Sequence, residues 1–415
     1  MKPAAYQNRA VINLKKKGGP PMSAVQLLPY SPRLFVNREQ ELQMLEERVQ
    51  ALKEGRDGHG VLILSGERGI GKTWLRSHFE HQLSQERIPV VRLDLKEYAG
   101  KDPAWAVADI LQRVSIETGG PRERLGADLA EMSRTVFRHL QKFLQQQPLV
   151  VIVDHVYESD WALLPLLEDY LLGPLAAERR VLLLLTGRGR LYPWKNPELS
   201  TLAVPLGKPE LEPFDPLFTK DQLKRQAPSQ AHRADEIYEL TGGNPLANYL
   251  VAAYSLDQAV EGLLEPVPEE RRRTVREYLE ALCVLRAFDE ERIPDMLATY
   301  YDNDSYRQWT YARSRRVREE LIRWGLARWD AEQRGYVMDR IVRQLIERYL
   351  QTQKPELWRR LHQTAYQLYQ QWANDYPATR ERWLEEAEYH RQRLQEYGSL
   401  PSRSENISAA DRRIL

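Results

Sequence analysis

The chain of 415 residues holds one cysteine, Cys283. A single thiol cannot close an internal disulfide, which excludes a disulfide-framed secreted scaffold and points to a reducing, cytoplasmic setting. Its apolar neighbours at helical spacing predict a buried thiol. Long hydrophobic runs are missing as well. Stretches such as Val181 to Leu185 fall far short of the roughly 20 residues that cross a bilayer, so no membrane span is expected. Lys15, Lys16 and Lys17 are not followed by an apolar segment, so no signal peptide is expected either, and Met22 is an alternative start of translation. Charge of one sign is also lacking: 60 Lys and Arg against 59 Asp and Glu leave a net charge of +1. Any attraction to nucleic acid or lipid must then come from a local patch.

What is present is a folded composition, 42% hydrophobic and 29% charged, in a chain long enough for two to four domains. Apolar segments alternate with amphipathic ones over the first half: Val61 to Leu64, Pro89 to Leu95, Leu149 to Val153, Val181 to Leu185 and, more weakly, Leu202 to Leu206. Helical patterns at Pro103 to Thr118, Leu129 to Gln146 and Trp161 to Leu172 lie between them. Alternation of this kind predicts a parallel sheet sandwiched by helices. From Pro213 onward the pattern is helical, except for a hairpin expected from Leu326 to Trp329 and Tyr336 to Met338.

The expected organisation is therefore a tail (1–31), an α/β domain (32–212), an all-α lid (213–264), a winged-helix domain (265–354), a short helical-repeat-like arm (355–397) and a second tail (398–415).

Between the first apolar segment and the next helix stands Gly66-Glu67-Arg68-Gly69-Ile70-Gly71-Lys72-Thr73, followed by Trp74. Glycines let the backbone curl so that N–H groups converge on one anion, and the helix beginning there adds its positive end. Lys72 supplies charge for the outer phosphates, and the Thr73 hydroxyl suits Mg²⁺. This strand–loop–helix context predicts a P-loop NTPase that binds ATP or ADP. Asp154 closes the Leu149 to Val153 segment and is the candidate second magnesium ligand beside Thr73. His155 follows where many hydrolysing relatives carry a second carboxylate. Either Glu158 or Asp160 substitutes for it, or hydrolysis is slow. Thr186-Gly187-Arg188 ends the next segment. If the two strands are neighbours, Thr186 or Arg188 faces the γ-phosphate, where a guanidinium pairs bidentately with oxygens. The expected catalytic set is thus Lys72, Asp154, His155, Glu158 and Arg188.

Phe35-Val36-Asn37-Arg38-Glu39-Gln40-Glu41-Leu42 resembles the segment preceding the P-loop in STAND-class NTPases, the group that includes NB-ARC and MalT-like proteins, with Asn37 in place of the usual glycine. The resemblance implies that Val36 and Arg38 contact the base. Gly243-Asn244-Pro245 is similar to the family's turn whose proline packs on adenine, and Thr186-Gly187-Arg188 to its sensor segment. Met338-Asp339-Arg340-Ile341-Val342 resembles its Met-His-Asp segment, with Asp339 replacing the ADP-sensing histidine. His362 and the run Glu386 to His390 resemble the start of its helical-repeat arm.

The resemblance implies an ATP-driven switch whose winged-helix and C-terminal helices bind a protein partner or a second copy. With no effector segment before Phe35 and no repeat array after Leu394, effector or sensor is expected on another chain. An origin-recognition-type AAA+ ATPase is the alternative, since Arg313, Arg315, Arg316 and Arg318 cluster before the hairpin as DNA-contacting residues do. Glu319 and Glu320 follow at once, and DNA is not the favoured partner. A nucleotide-binding adaptor with little turnover is the third reading.

Overall fold

A computed structural model describes residues 25–55, 60–122, 126, 128–188, 191–201 and 203–399. The apolar segments form strands β1 (Val61–Ser65), β2 (Val90–Asp94), β3 (Leu149–Asp154), β4 (Val181–Gly187) and β5 (Val204–Pro205). They make one parallel sheet in the order β2-β3-β4-β1-β5. Every residue of β1, β3 and β4 is buried, as continuous apolar strands between two helical layers require. Alternate side chains divide between the layers. Ile63, Val151, Val153, Leu183 and Leu185 pack with α3 (Pro103–Glu117) and α4 (Leu129–Gln146). Leu62, Leu64, Val150, Ile152, Leu182 and Leu184 pack with α1 (Glu39–Glu54) and α2 (Lys72–Gln85).

Two elements depart from expectation. The helix predicted over 161–172 begins later, as α5 (Leu163–Leu167), and widens into a π-helical turn before α6 (Gly173–Ala176). Pro174 offers no N–H there, and the ladder closes through the Gly173 N–H on the Glu168 carbonyl. β5 is only two residues long because Pro205 cannot donate to a neighbour. α7 (Pro197–Ser200) precedes β5, and with β5 the β structure of the first half ends.

Helices α8 (Pro216–Gln226), α9 (Ala234–Thr241), α10 (Pro245–Ala253), α11 (Leu256–Leu263), α12 (Glu269–Leu282), α13 (Ile293–Tyr301) and α14 (Tyr311–Arg323) follow. The expected hairpin is present as β6 (Ala327–Asp330) paired antiparallel with β7 (Gly335–Met338), and Phe288 bridges to Tyr336 at its edge. Helices α15 (Arg340–Gln353), α16 (Pro355–Asp375) and α17 (Arg380–Ser399) complete the chain. One continuous core runs from Leu223 to Ala387 and includes the fully buried Cys283. Lid, hairpin region and C-terminal arm therefore share their apolar interior.

Residues 25–31, placed in the tail from sequence, lie against the helices: Val25 packs on that core, and the Gln26 N–H donates to the Tyr254 hydroxyl at 3.1 Å. The remainder of that tail and the segment 400–415 lie outside the described residues. Among the described residues, no helix is long and apolar enough to cross a membrane.

Candidate functional site

Parallel strands of a sheet end on the same side, and ligands of open α/β sheets sit outside those carboxyl ends. Here that edge gathers the loop after β1, Asp154 at the end of β3 and Thr186 at the end of β4. Because β4 lies between β1 and β3, the Thr186 hydroxyl reaches Asp154 Oδ1, as expected if the two strands were neighbours.

Residues 66–71 form the curl. Gly69 (φ +73) and Gly71 (φ +103) adopt left-handed conformations that turn the loop back on itself. A Cβ on Gly69 would stand 2.6 Å from Asn244 Oδ1 and 2.7 Å from Leu246 Cβ, whereas Gly71 faces open space. The close approach at Gly69 comes from the Gly-Asn-Pro turn that caps α10. Asn244 Nδ2 donates to the Arg68 carbonyl at 2.7 Å, and the Leu246 N–H donates to the Gly69 carbonyl at 3.1 Å. Pro245 thus stands at the first turn of a helix pinned to the phosphate loop.

Arg38 pins the other side: it is 5% exposed and donates to the carbonyls of Ile70 and Glu212, both at 2.8 Å. Its guanidinium shapes the loop, a role not foreseen for a base contact. Val36 and Ile70 are buried, Thr73 is exposed, and Trp74 meets Tyr30 edge-on with centroids 5.8 Å apart.

Lys72 Nζ donates to the carbonyls of Gly66 (2.6 Å) and Glu67 (2.8 Å), curling over the cradle. Burial, and then the charge of Arg188, lower its pKa to about 8. Arg68 is depressed to about 10 by burial and by the same neighbour. Three cations thus crowd one another beside the loop, as expected of a site that takes a polyanion. Open space at Gly71, inward-curled backbone and these cations fit a nucleotide's phosphates.

The residues expected at the metal and the attacking water are committed elsewhere. Asp154 Oδ1 accepts the Thr186 hydroxyl and the His155 N–H (3.0 Å), and Oδ2 accepts Arg76 Nη1. Burial pushes this carboxyl up, but His155, the Thr186 hydrogen bond and Arg76 together hold it below its ordinary value. Thr73 fits a magnesium ion on the phosphates; Asp154, neutralised by a guanidinium, does not fit as its second ligand.

His155, at φ 58, turns its ring toward Asp94, with Nδ1 2.8 Å from Oδ1. Glu158, the candidate replacement for the second acid, is instead paired with Arg188 through both oxygens: Nε to Oε1 at 2.8 Å and N–H to Oε2 at 2.9 Å. Arg188 in turn lies against Gly325, whose Cβ would stand 2.7 Å from Nη2. Neither side chain is left free as the sequence reading placed it.

The loop also reaches the C-terminal half. Arg68 donates through Nη1 to the Leu263 carbonyl and through Nη2 to the Trp324 carbonyl, each at 2.7 Å. Glu67 pairs with Arg340 at 2.9 Å. Asp339 caps α15 through the Val342 N–H and, raised by burial, faces Arg68.

Residues 34–184 match the family of the AAA ATPase domain. The α/β part of this chain has the AAA+ P-loop fold. No curated protein matches the chain. Among solved structures it is similar to the Aeropyrum pernix ORC1 protein in complex with DNA (16% identity, TM-score 0.40, 78% of this chain and 94% of that one). It is also similar to Cdc6p from Pyrobaculum aerophilum (14%, 0.41, 80% and 97%) and to the Thermotoga maritima RuvB branch migration motor (14%, 0.36, 78% and 97%). Likenesses this distant carry no functional argument. Within the AAA+ domain the residue that sequence reasoning missed is Arg76. Its signal was its place on α2, four positions after Lys72 and so on the same helical face.

Proposed function

We propose that the chain is an ATP-binding switch of the STAND type, in which ATP or ADP in the cradle sets how the C-terminal helices sit on the AAA+ domain. The supporting observation is that the phosphate loop is itself the docking surface: Arg68 holds Leu263 and Trp324, and Glu67 holds Arg340. A triphosphate and a diphosphate draw differently on Lys72, Arg68 and Arg188. A ligand shifts a two-state equilibrium only through such differential affinity. Turnover is slow in this reading, because the position after Asp154 is a histidine held by Asp94 and Glu158 is held by Arg188. Released helices would then bind a protein partner or a second copy. Small-angle scattering and light scattering with ADP, with a non-hydrolysable ATP analogue and with neither test this. A different radius or mass with the analogue is expected; identical curves in all three states sink the switch.

A second reading, an origin-recognition-like DNA-binding ATPase, is favoured by one feature. Arg313, Arg315 and Arg316 on α14, and Arg328 and Trp329 on β6, are all exposed. Arg318, counted with them from sequence, is not available: it pairs with Glu290 and lies over the Tyr336 ring at 5.0 Å. If this face binds duplex DNA, the double variant Arg315→Ala/Arg316→Ala loses roughly two units of the slope of log affinity against log salt. Absence of any duplex binding at low salt removes this reading.

A further inference from the structure

We infer that the buried Arg76 guanidinium takes the place of a metal as the counter-charge of Asp154, and that nucleotide binding by this chain depends little on divalent cation. The inference rests on the nucleotide-binding reading and narrows it.

Arg76 is 5% exposed and Asp154 is 8% exposed, so their ion pair is an interior one. Both carboxylate oxygens are engaged, Oδ2 by Arg76 and Oδ1 by the Thr186 hydroxyl and the His155 N–H. The guanidinium reaches across from α2, one turn beyond Lys72 and Thr73, to the end of β3. A dication drawing on Asp154 has to displace that guanidinium. It then leaves the buried guanidinium beside the incoming dication with only its longer pair to Glu80, Nε to Oε1 at 3.5 Å, an arrangement proteins tolerate poorly. Among the described residues, the acids nearest in sequence are otherwise engaged. His155 occupies the next place with its ring on Asp94, and Glu158 is closed by Arg188. Among the described residues, no group of three or more His, Cys, Asp and Glu is arranged to hold a metal ion.

The phosphates do not lack for cations: Lys72 curls over the cradle through the Gly66 and Glu67 carbonyls, and Arg68 lies in the loop itself. Electrostatically, Asp154 and Arg76 cancel, and the metal loses the acidic partner that makes it matter for binding. Arg76 is thus a positioning residue that sets metal dependence without touching the nucleotide.

The test is titration of the full chain with fluorescent ADP and ATP, in excess magnesium and in excess EDTA. For the native protein the two dissociation constants are expected to agree within about threefold, less than the tenfold that corresponds to 1.4 kcal/mol. Arg76→Gln keeps a hydrogen-bond donor but uncovers the Asp154 charge. It is expected to bind at least about tenfold more tightly with magnesium than with EDTA. Arg76→Lys keeps the cation and is expected to stay near the native ratio, with circular dichroism confirming that both variants fold. Native binding that weakens more than about tenfold in EDTA overturns the inference, as does a native-like ratio in Arg76→Gln. If Arg76→Gln does not fold, the native and Arg76→Lys ratios decide. Absence of binding in both buffers overturns the nucleotide reading itself, and the inference falls with it.

Discussion

Lys72→Ala is expected to weaken ADP and ATP binding by about a hundredfold, close to 2.7 kcal/mol, with the fold intact. The ammonium already sits over the cradle, held by two loop carbonyls. Phosphate oxygens are stronger, charged acceptors for the same three N–H groups. Depression of Lys72 from 10.5 to about 8, caused first by burial and then by Arg188, gives this prediction a pH signature. Binding a polyanion requires the charged form. Affinity should be level just below pH 8 and fall as pH rises above it, by up to about tenfold per unit while the free amine is neutral. Lys72→Arg keeps its charge throughout and should flatten the profile.

Stability of the ligand-free protein moves the other way. The unfolded chain holds the extra proton between pH 8 and 10.5, so folding gains as pH rises through that window. Nucleotide titrations from pH 7 to 10 check the first sign, and denaturant unfolding of the ligand-free protein over the same range checks the second. Unchanged affinity in Lys72→Ala means that the cradle is not the binding site.

The residues that could be placed from sequence alone are those whose role is local. Loop curvature at Gly69 and Gly71 follows from their lack of a side chain, and the buried strands β1, β3 and β4 follow from unbroken apolar runs. Asp154 at the end of β3 and Thr186 at the end of β4 were also locatable, because parallel strands deliver their last residues to one edge. What could not be read was which charged groups pair across the chain. Arg38, which the resemblance implies as a base contact, ties Ile70 to Glu212, a pairing no local pattern shows. Glu158 looked free to orient water and is closed by Arg188, 30 positions away. Arg76 carried no motif, because its partner is 78 positions distant and becomes a neighbour only when β3 is threaded two places from β1. Hydrophobic period reports the face a residue takes; it does not report what the opposing element presents there. The shared core from Leu223 to Ala387 escaped for the same reason: amphipathic faces show that a neighbour is needed without naming it.

Removing the guanidinium of Arg68 is expected to loosen the C-terminal half from the AAA+ domain more than any other single change at this junction. The side chain is 7% exposed, and its two terminal nitrogens satisfy the Leu263 and Trp324 carbonyls. Hydrogen bonds from a charged donor are worth about 1.5–3 kcal/mol each, and carbonyls left buried without a partner add to the loss. Arg68→Ala should therefore shift the docked–undocked balance by roughly 3–4 kcal/mol, or about two to three orders of magnitude. The exposed pair of Glu67 and Arg340 contributes little by comparison, since half of Arg340 faces solvent.

Nucleotide affinity should respond much less than docking, because the Arg68 guanidinium is committed to the Leu263 and Trp324 carbonyls. One cation near the phosphates is lost, but Lys72 keeps its place over the cradle on the Gly66 and Glu67 carbonyls. Arg68→Lys keeps the charge but loses the planar fork that meets the two carbonyls, so an intermediate effect is expected. Hydrogen exchange at the amides following Trp324 separates these outcomes. Faster exchange in Arg68→Ala, part recovery in Arg68→Lys and near-native nucleotide binding in both are expected of a loop that joins two halves. Native protection at Trp324 in Arg68→Ala means that the junction is held by the surrounding apolar core and that the phosphate loop does not govern it.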